Sequence, residues 1–132
     1  MLAGVLAGHM CRGMQEKGII ATPKHFLCSD QEQGCFSMNC IVTERALREI
    51  YLMPFMLAIK IGDPGAIMAA YNKINGVHVT EDRRILHQIL RQEWGFRGLV
   101  MSDWLGSLSV RLLRWAIRGL SASSALKCSL AD

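Results

Sequence analysis

The sequence has no apolar run approaching the roughly 20 residues that a helix needs to cross a bilayer, so no membrane association is expected. It also has no basic region ahead of the apolar residues at its N-terminus, so no secretion signal is expected within the chain. Neither absence assigns a compartment. With 51% hydrophobic and 20% charged residues in 132 positions, the composition is typical of a globular domain with a real core.

No CxxC pair occurs among the five cysteines, and their number is odd, so a disulfide framework is not indicated. We therefore expect reduced, mostly buried thiols. One alternative is a zinc-binding module, because a short stretch supplies four soft ligands. The gap between the first two cysteines of that stretch fits structural zinc sites poorly, so unligated thiols are favoured. The four ligands of this alternative are His25, Cys28, Cys35 and Cys40.

The net charge of +4 says little about function, because most of the basic excess lies at the end of the chain. Residues 1–106 contain 11 Lys and Arg against 10 Asp and Glu, whereas residues 107–132 contain 4 against 1. The basic residues of this tail are not interleaved with a recognisable RNA- or DNA-binding motif. No nucleic-acid partner is expected.

Apolar residues at helical spacing predict several helices. Gly18 is placed to end the first, Thr43 to cap a second, and Pro54 to begin a third at its first turn. Thr80 is placed to cap a fourth, which Gly95 ends. The predicted apolar face of the first helix is Leu2, Val5, Leu6, His9, Met10 and Met14. The corresponding faces of the second and fourth are Leu47, Ile50 and Tyr51, and Ile85, Leu86, Ile89, Leu90 and Trp94.

Short apolar strands are predicted between these helices, at Ile19–Phe26, Ala66–Tyr71 and Leu99–Ser102. Alternating helices and buried strands indicate the α/β class with a parallel sheet, since each crossover returns the chain in the same direction. A closed (β/α)₈ TIM barrel takes about 250 residues. Three such units form either part of a barrel or a small three-stranded α/β layer with exposed edges. Because exposed edges on buried-type strands favour aggregation, the prediction is a partial (β/α)₈ barrel of about three consecutive βα units.

Polar side chains stand at the end of each predicted strand. Taken singly they are ordinary, since an Asp after a strand is commonly a turn or helix-cap residue. In a parallel sheet, however, they meet at one edge, where barrels carry their catalytic groups. Cations, a carboxylate and aromatic rings suit a carbohydrate, whose hydroxyls take charged hydrogen bonds and whose C–H face packs on an indole. The residues are Lys24 and His25, Tyr71 and Asn72, and Asp103 and Trp104.

Five blocks follow one another along the chain: Lys24-His25-Phe26, Ser29–Glu32, Arg45–Tyr51, Met68–Gly76 and Gly98–Trp104. Together with their spacing, these blocks resemble consecutive blocks of glycoside hydrolase family 3, especially its fungal β-glucosidases. The likeness runs from about Leu2 to Gly106. Several ordered blocks at matching spacing are far more specific than any single motif.

The resemblance implies a retaining β-glucosidase that acts on a β-glucoside or a cello-oligosaccharide and needs no metal or organic cofactor. By position, Asp103 matches the catalytic nucleophile, which attacks the anomeric carbon and forms a covalent glycosyl-enzyme. Lys24 and His25 match the pair that binds sugar hydroxyls, Tyr71 matches a residue beside the nucleophile, and Trp104 matches an aromatic wall. Lys24 is also expected to help keep Asp103 ionised.

Two departures from the family pattern concern activity. Cys35 stands where the family has an arginine that binds the sugar, so a charged clamp on the hydroxyls is lost. The resemblance also gives no counterpart in this chain for the general acid/base, or for an acidic residue and an arginine of earlier strands. We therefore expect the chain to be inactive or nearly so alone, and a non-catalytic sugar-binding remnant is the alternative.

The likeness ends abruptly after Gly106. We therefore divide the chain into residues 1–106, a fragment of the family's N-terminal catalytic barrel, and a divergent tail at residues 107–132. The likeness is lost at the same point at which the excess of basic residues rises. This coincidence leads to the hypothesis that the tail is translated out of frame. The tail could still form one amphipathic helix with an apolar face at Val110, Leu113, Ala116, Ile117 and Leu120.

Overall fold

The computed structural model describes residues 1–106, so the predicted tail helix lies outside the described residues. The fold is mixed α/β, and no helix in this part of the chain is long and apolar enough to cross a membrane. In chain order the elements are α1 (Leu2–Gln15), β1 (Asn39–Cys40), α2 (Glu44–Ala46), a π-helical segment (Leu47–Leu52), α3 (Met53–Gly62), β2 (Ala66–Ala69), β3 (Lys73–Ile74), β4 (Val77–His78), a 3₁₀ turn (Val79–Glu81), a π-helix (Arg84–Glu93) and β5 (Leu99–Ser102).

Helix α1 packs on α3 through glycines. A Cβ atom at Gly4 would lie 2.6 Å from the carbonyl oxygen of Pro54, and one at Gly8 would lie 2.6 Å from the Cβ atom of Ile61. Gly4, Gly8 and Cys11 are the buried residues of α1. The two helix backbones therefore approach more closely than any larger side chain at these positions would allow.

The predicted apolar face of α1 was wrong. Its large side chains at Leu2, Leu6 and Met10 are 72%, 60% and 69% exposed. The opposite face is the one that packs, because close contact with α3 selects small residues that a search for large apolar side chains overlooks. The predicted end of the helix is confirmed in outline, since α1 stops at Gln15 and Gly18 follows with a φ of 77°.

The two predicted helix starts in the next helical run are confirmed. The Thr43 hydroxyl accepts a hydrogen bond from the backbone N–H of Ala46, and Pro54 lies in the first turn of α3. Leu47 is buried as predicted, but Ile50 is 63% exposed, so that part of the predicted face was wrong. The π-helical turns of the run differ from the regular α spacing that the prediction assumed.

The main sheet is parallel and has β2 at its centre. Ala66–Ala69 pair in register with Leu99–Ser102 of β5. On the other side of β2, the predicted strand Ile19–Phe26 is not a regular strand, and it forms one isolated parallel bridge, from Phe26 to Ala69. Its backbone nevertheless follows β2, since Ala66 and Met68 donate N–H groups to the carbonyls of Ala21 and Pro23. The ladder is incomplete because Pro23 has no N–H to donate.

A second, small sheet was not predicted. Its order is β1-β3-β4, with β1 parallel to β3 and β3 antiparallel to β4. The hairpin between β3 and β4 turns at Asn75 and Gly76, whose φ angles of 48° and 94° are left-handed. An Asn-Gly pair is a strong hairpin signal, so this element was readable from the sequence.

The π-helix buries Ile85, Ile89 and Leu90, as predicted. The predicted cap was wrong: Thr80 lies in the preceding 3₁₀ turn, and the Asp82 carboxylate accepts the hydrogen bond from the Ile85 N–H. Thr80 and Asp82 are both of a residue type that suits an N-cap. Asp82, which lies nearer the helix, is the one that accepts the capping hydrogen bond.

The ring of Phe26 lies in the hydrophobic core, where it contacts aromatic rings from two helical segments. This ring meets Phe55 of α3 edge to face, with the centroids 5.0 Å apart, and Trp94 at 6.2 Å. Phe26 is fully buried. The packing of this ring therefore anchors the backbone immediately before it, which carries Lys24 and His25.

Candidate functional site

The three strand ends meet at one edge of the main sheet, as predicted. Phe26 bridges Ala69, and Ala69 pairs with Ser102, so the ends of the three parallel segments are in register. This register places His25, Tyr71 and Asp103 in neighbouring positions along the edge.

The carboxylate of Asp103 is the buried charged group of this edge. Asp103 is 6% exposed, and its Oδ2 atom lies 3.1 Å from Nε2 of His25. Its Oδ1 atom accepts a hydrogen bond of 2.7 Å from the backbone N–H of Trp104. Each oxygen thus has one donor, which fixes the orientation of the carboxylate and satisfies a charge that burial would otherwise make costly.

Backbone contacts fix the position of Asp103 at the end of β5. Its N–H donates to the carbonyl of Ala69 at 3.1 Å, which continues the ladder between β2 and β5 by one residue. Its own carbonyl accepts from the N–H of Gly106 at 2.9 Å, within a turn where Leu105 has a φ of 65°. A sheet bond on one side and a turn bond on the other hold this residue rigidly.

Tyr71 connects the ends of β2 and β5. Its hydroxyl donates a hydrogen bond of 2.6 Å to the carbonyl oxygen of Trp104. Partial burial, followed by the hydrogen-bonding and charge effects of the nearby Asp103 carboxylate, raises the pKa of the Tyr71 phenol. The phenol is therefore neutral at physiological pH and lies beside the carboxylate.

The other two predicted site residues point to solvent. Lys24 is exposed, and within residues 1–106 its ammonium group makes no hydrogen bond or ion pair. The expected pairing of Lys24 with Asp103 is not formed, because His25 occupies the near side of the carboxylate. Trp104 is 74% exposed, so its ring is available at the rim of the site.

Two buried polar residues support this edge: Asn72, which the sequence analysis placed at the end of the second strand, and His78, which it did not single out. The Asn72 amide, 1% exposed, donates to the carbonyl of Leu27 at 3.1 Å and so links the first two strand ends. His78, 7% exposed, has its Nδ1 atom 3.0 Å from the carbonyl of Tyr71. The Asn-Gly hairpin that carries His78 was the available signal for the second contact.

Phe36 is a further residue that the sequence analysis did not place at the site. Its ring is 45% exposed and lies 4.3 Å, centroid to centroid, from the ring of Tyr71. Phe36 belongs to the largely polar segment 29–39, which precedes β1. An exposed aromatic side chain in such a loop was the signal for a contact at the rim.

The alternative zinc site is not formed. Among residues 1–106, no group of three or more His, Cys, Asp and Glu side chains is arranged to hold a metal ion. His25 faces Asp103, whereas Cys28 is buried in the core cluster.

The arrangement can orient an anionic oxygen towards a ligand at an open rim. The buried carboxylate lies against the His25 ring and the Trp104 N–H, and the Tyr71 phenol lies beside it. Carboxylates placed in this way act as nucleophiles or as hydrogen-bond acceptors for hydroxyl groups. Both roles fit a polyol or sugar ligand.

Comparison with known proteins identifies the family of this chain. Residues 1–127 match the model of the glycosyl hydrolase family 3 N terminal domain, so the match extends past Gly106 into the tail. The chain is 57% identical over 109 residues to a Neosartorya fischeri protein named Probable beta-glucosidase I, and 56% identical to an Aspergillus fumigatus protein of that name. These alignments cover 83% of this chain but 13% of each relative.

Solved structures show the same similarity. The β-glucosidase from Kluyveromyces marxianus in complex with glucose superimposes with a TM-score of 0.78 at 54% identity, over 80% of this chain and 13% of that one. β-Glucosidase 3B from Thermotoga neapolitana in complex with glucose gives 0.77 at 32% identity, over 95% of this chain and 22% of that one. This chain is therefore a member of glycosyl hydrolase family 3 and comprises part of that family's N-terminal domain.

Proposed function

We propose that this chain carries the nucleophile and part of the glucose subsite of a retaining β-glucosidase. The observation that carries the proposal is the buried carboxylate of Asp103, fixed at the carboxyl end of β5 by His25 and by the Trp104 amide. In α/β barrels, catalytic residues lie at this end of the strands. The two relatives with bound glucose support a sugar as the ligand.

In the complete enzyme, a carboxylate oxygen of Asp103 attacks the anomeric carbon as the glycosidic bond breaks and the aglycone leaves, which forms a covalent glycosyl-enzyme. Water then attacks the same carbon, the bond to Asp103 breaks, and the sugar is released with retained configuration. His25 holds Oδ2 through Nε2 in the tautomer that carries its hydrogen there. The two donors orient the attacking group before the sugar arrives.

The residues around Asp103 bind the sugar. The ammonium group of Lys24 and the ring of His25 donate to hydroxyls, and the exposed indole of Trp104 packs against the C–H face. Tyr71 lies beside the nucleophile and keeps the Trp104 backbone in place. The substrate class is a β-glucoside, including a cello-oligosaccharide.

The chain is three consecutive βα units of a (β/α)₈ barrel and completes neither the barrel nor the reaction. It spans 13% of the length of the curated relatives it matches. A general acid supplies about 10²–10⁴ in rate, and the family resemblance gives no counterpart for it in this chain. Cys35 replaces the arginine that the family resemblance places on the sugar. Turnover by this chain alone is expected to be close to that of buffer.

Binding and turnover measured together test the proposal. We expect glucose to shift the indole N–H resonance of Trp104, and this binding to weaken at least tenfold in Lys24→Met. Hydrolysis of a nitrophenyl β-glucoside should stay at the background rate. Asp63→Asn, which changes an exposed carboxylate at the end of α3, is the matched control and should leave glucose binding unchanged.

Two outcomes contradict the proposal. Glucose binding that is insensitive to Lys24→Met and to Trp104→Ala would place the sugar elsewhere. Hydrolysis that Asp103→Ala abolishes would show an acid catalyst within the chain and overturn the expected inactivity. The alternative, a sugar-binding remnant without catalysis, predicts the same binding but no covalent glycosyl adduct on Asp103.

A further inference from the structure

The hairpin of β3 and β4 is fastened at its turn by side-chain amides. The Asn75 side chain makes two hydrogen bonds of 2.9 Å with the backbone of Val42, accepting one from its N–H and donating one to its carbonyl. The N–H of Gly76 donates to the Oδ1 atom of Asn39 at 2.8 Å. The turn of the hairpin is therefore held both to β1 and to the backbone that follows β1.

This hairpin returns the chain to the end of β2 at His78. His78 pairs with Lys73 across the hairpin, and the N–H of the next residue, Val79, donates to the carbonyl of Asn72 at 3.1 Å. The buried imidazole of His78 has its Nδ1 atom 3.0 Å from the carbonyl oxygen of Tyr71. A carbonyl oxygen only accepts hydrogen bonds, so this contact requires the tautomer of His78 that carries a hydrogen on Nδ1.

Three hydrogen bonds lead from His78 to the candidate nucleophile. The first joins the imidazole to the Tyr71 carbonyl, and the second joins the Tyr71 hydroxyl to the Trp104 carbonyl at 2.6 Å. The third joins the Trp104 N–H to the Oδ1 atom of Asp103 at 2.7 Å. Within residues 1–106, the Nε2 atom of His78 has no hydrogen-bond partner. In this part of the chain, the Nδ1 contact is therefore the polar contact of the ring.

We propose that His78 is a positioning residue for the candidate nucleophile, because its hold on the Tyr71 carbonyl sets where the Tyr71 hydroxyl meets the turn that follows Asp103. This inference rests on the proposed function of Asp103. His78 acts through Tyr71 and not on the sugar itself. Loss of the Nδ1–H group leaves a partly buried carbonyl without its donor, so the backbone of Tyr71 shifts to find another. The bond between Tyr71 and Trp104 then loosens, and with it the orientation of the carboxylate.

Two variants of nearly equal shape separate this hydrogen bond from the packing of the ring. His78→Asn keeps an N–H donor near the position of Nδ1, whereas His78→Leu is similar in size and has no donor. Both substitutions remove the same part of the ring, so a merely structural role of His78 predicts equal effects of the two. His9→Leu, at an exposed position of α1, is the control for the replacement of a histidine.

Two readouts on the 132-residue chain follow the three hydrogen bonds. Partial burial and the Asp103 carboxylate raise the pKa of Tyr71, so in His78→Leu this phenol should ionise nearer pH 10, while the Tyr51 step does not move. Labelling of Asp103 by a 2-fluoroglucoside with a dinitrophenolate leaving group should slow about fivefold, the effect of one hydrogen bond. His78→Asn and His9→Leu should match the wild type in both readouts.

The tautomer of His78 tests the proposal without a substitution, and therefore also if His78→Leu does not fold. The nitrogen chemical shifts of the imidazole should show the hydrogen on Nδ1 in the folded wild-type chain. A hydrogen on Nε2 alone would overturn the proposal, as would a Tyr71 titration that His78→Leu leaves unchanged or that both variants change equally. A wild-type chain that is never labelled, with the tautomer and titration as expected, would instead overturn the proposed role of Asp103 while the hold of His78 on Tyr71 stands.

Discussion

Each of the two tyrosines of the chain lies beside a carboxylate that follows a strand. Tyr51 donates to Asp30, and this hydrogen bond is the main cause that raises the pKa of Tyr51 to about 12. Tyr71 lies by Asp103, and partial burial and that carboxylate raise its pKa as well. Both phenols are therefore neutral donors over the pH range in which the carboxylates are ionised.

The alkaline titration of tyrosine absorbance checks this account. We expect neither tyrosine to ionise near pH 10, the ordinary value for a phenol. Because the folded-state pKa is raised, the linked stability is fully present below about pH 10 and is lost as the pH rises towards about 12. Tyr51→Phe should remove the step assigned to Tyr51 and cost about 1 kcal/mol at neutral pH.

The reference for this titration is Asp30→Asn, which keeps the phenol but removes the charge beside it. In this variant the Tyr51 step should move back towards pH 10, and the Tyr71 step should not move. A wild-type titration with a single step for both tyrosines near pH 10 would contradict the two hydrogen bonds.

Single residues at the strand ends were predictable because a parallel sheet brings its ends to one edge. His25, Tyr71 and Asp103 followed from that rule. The partner of Asp103 did not, since sequence favours Lys24 and His25 equally and only the packed geometry selects the imidazole. The supporting contacts of Asn72 and His78 were missed because they use backbone carbonyls, which carry no sequence signal.

At the scale of elements, the helix that differs most from its prediction is α1. Periodicity marks the face with the largest apolar side chains as the buried one. In α1, however, the face that carries Gly4 and Gly8 packs on α3, because these small residues let the two helix backbones come close together. The sheet strands were easier to predict because β2 and β5 are apolar over their whole length, whereas β1, β3 and β4 have two residues each and leave little pattern.

Substitution of alanine for two glycines of α1 distinguishes the faces. Gly8→Ala puts a Cβ atom 2.6 Å from Ile61 and should destabilise the chain by about 1–3 kcal/mol in urea unfolding. Gly13→Ala meets no atom within 4 Å and should stabilise it by up to about 1 kcal/mol through helix propensity. If both substitutions stabilise the chain, α1 does not pack on α3 through this face.

At the scale of the whole molecule, the chain matches a small part of much longer proteins. The relatives are far longer than this chain, and the aligned structures superimpose on it over 13–22% of their own lengths. The large apolar residues exposed on α1 and the exposed Leu99 of β5 are surfaces that would be covered in a closed barrel. The boundary after Gly106, and the out-of-frame origin of the tail, stay predictions that transcript sequencing would decide.

The most direct test of the central claim is covalent trapping on Asp103. A 2-fluoroglucoside with a dinitrophenolate leaving group needs no general acid, because this leaving group departs unprotonated, and the fluorine slows release of the glycosyl-enzyme. We expect peptide mapping of the folded chain to show one fluoroglucosyl group on the peptide that contains Asp103, and none in Asp103→Asn. Labelling of another residue, or a folded chain that stays unlabelled, would contradict the assignment of Asp103 as the nucleophile.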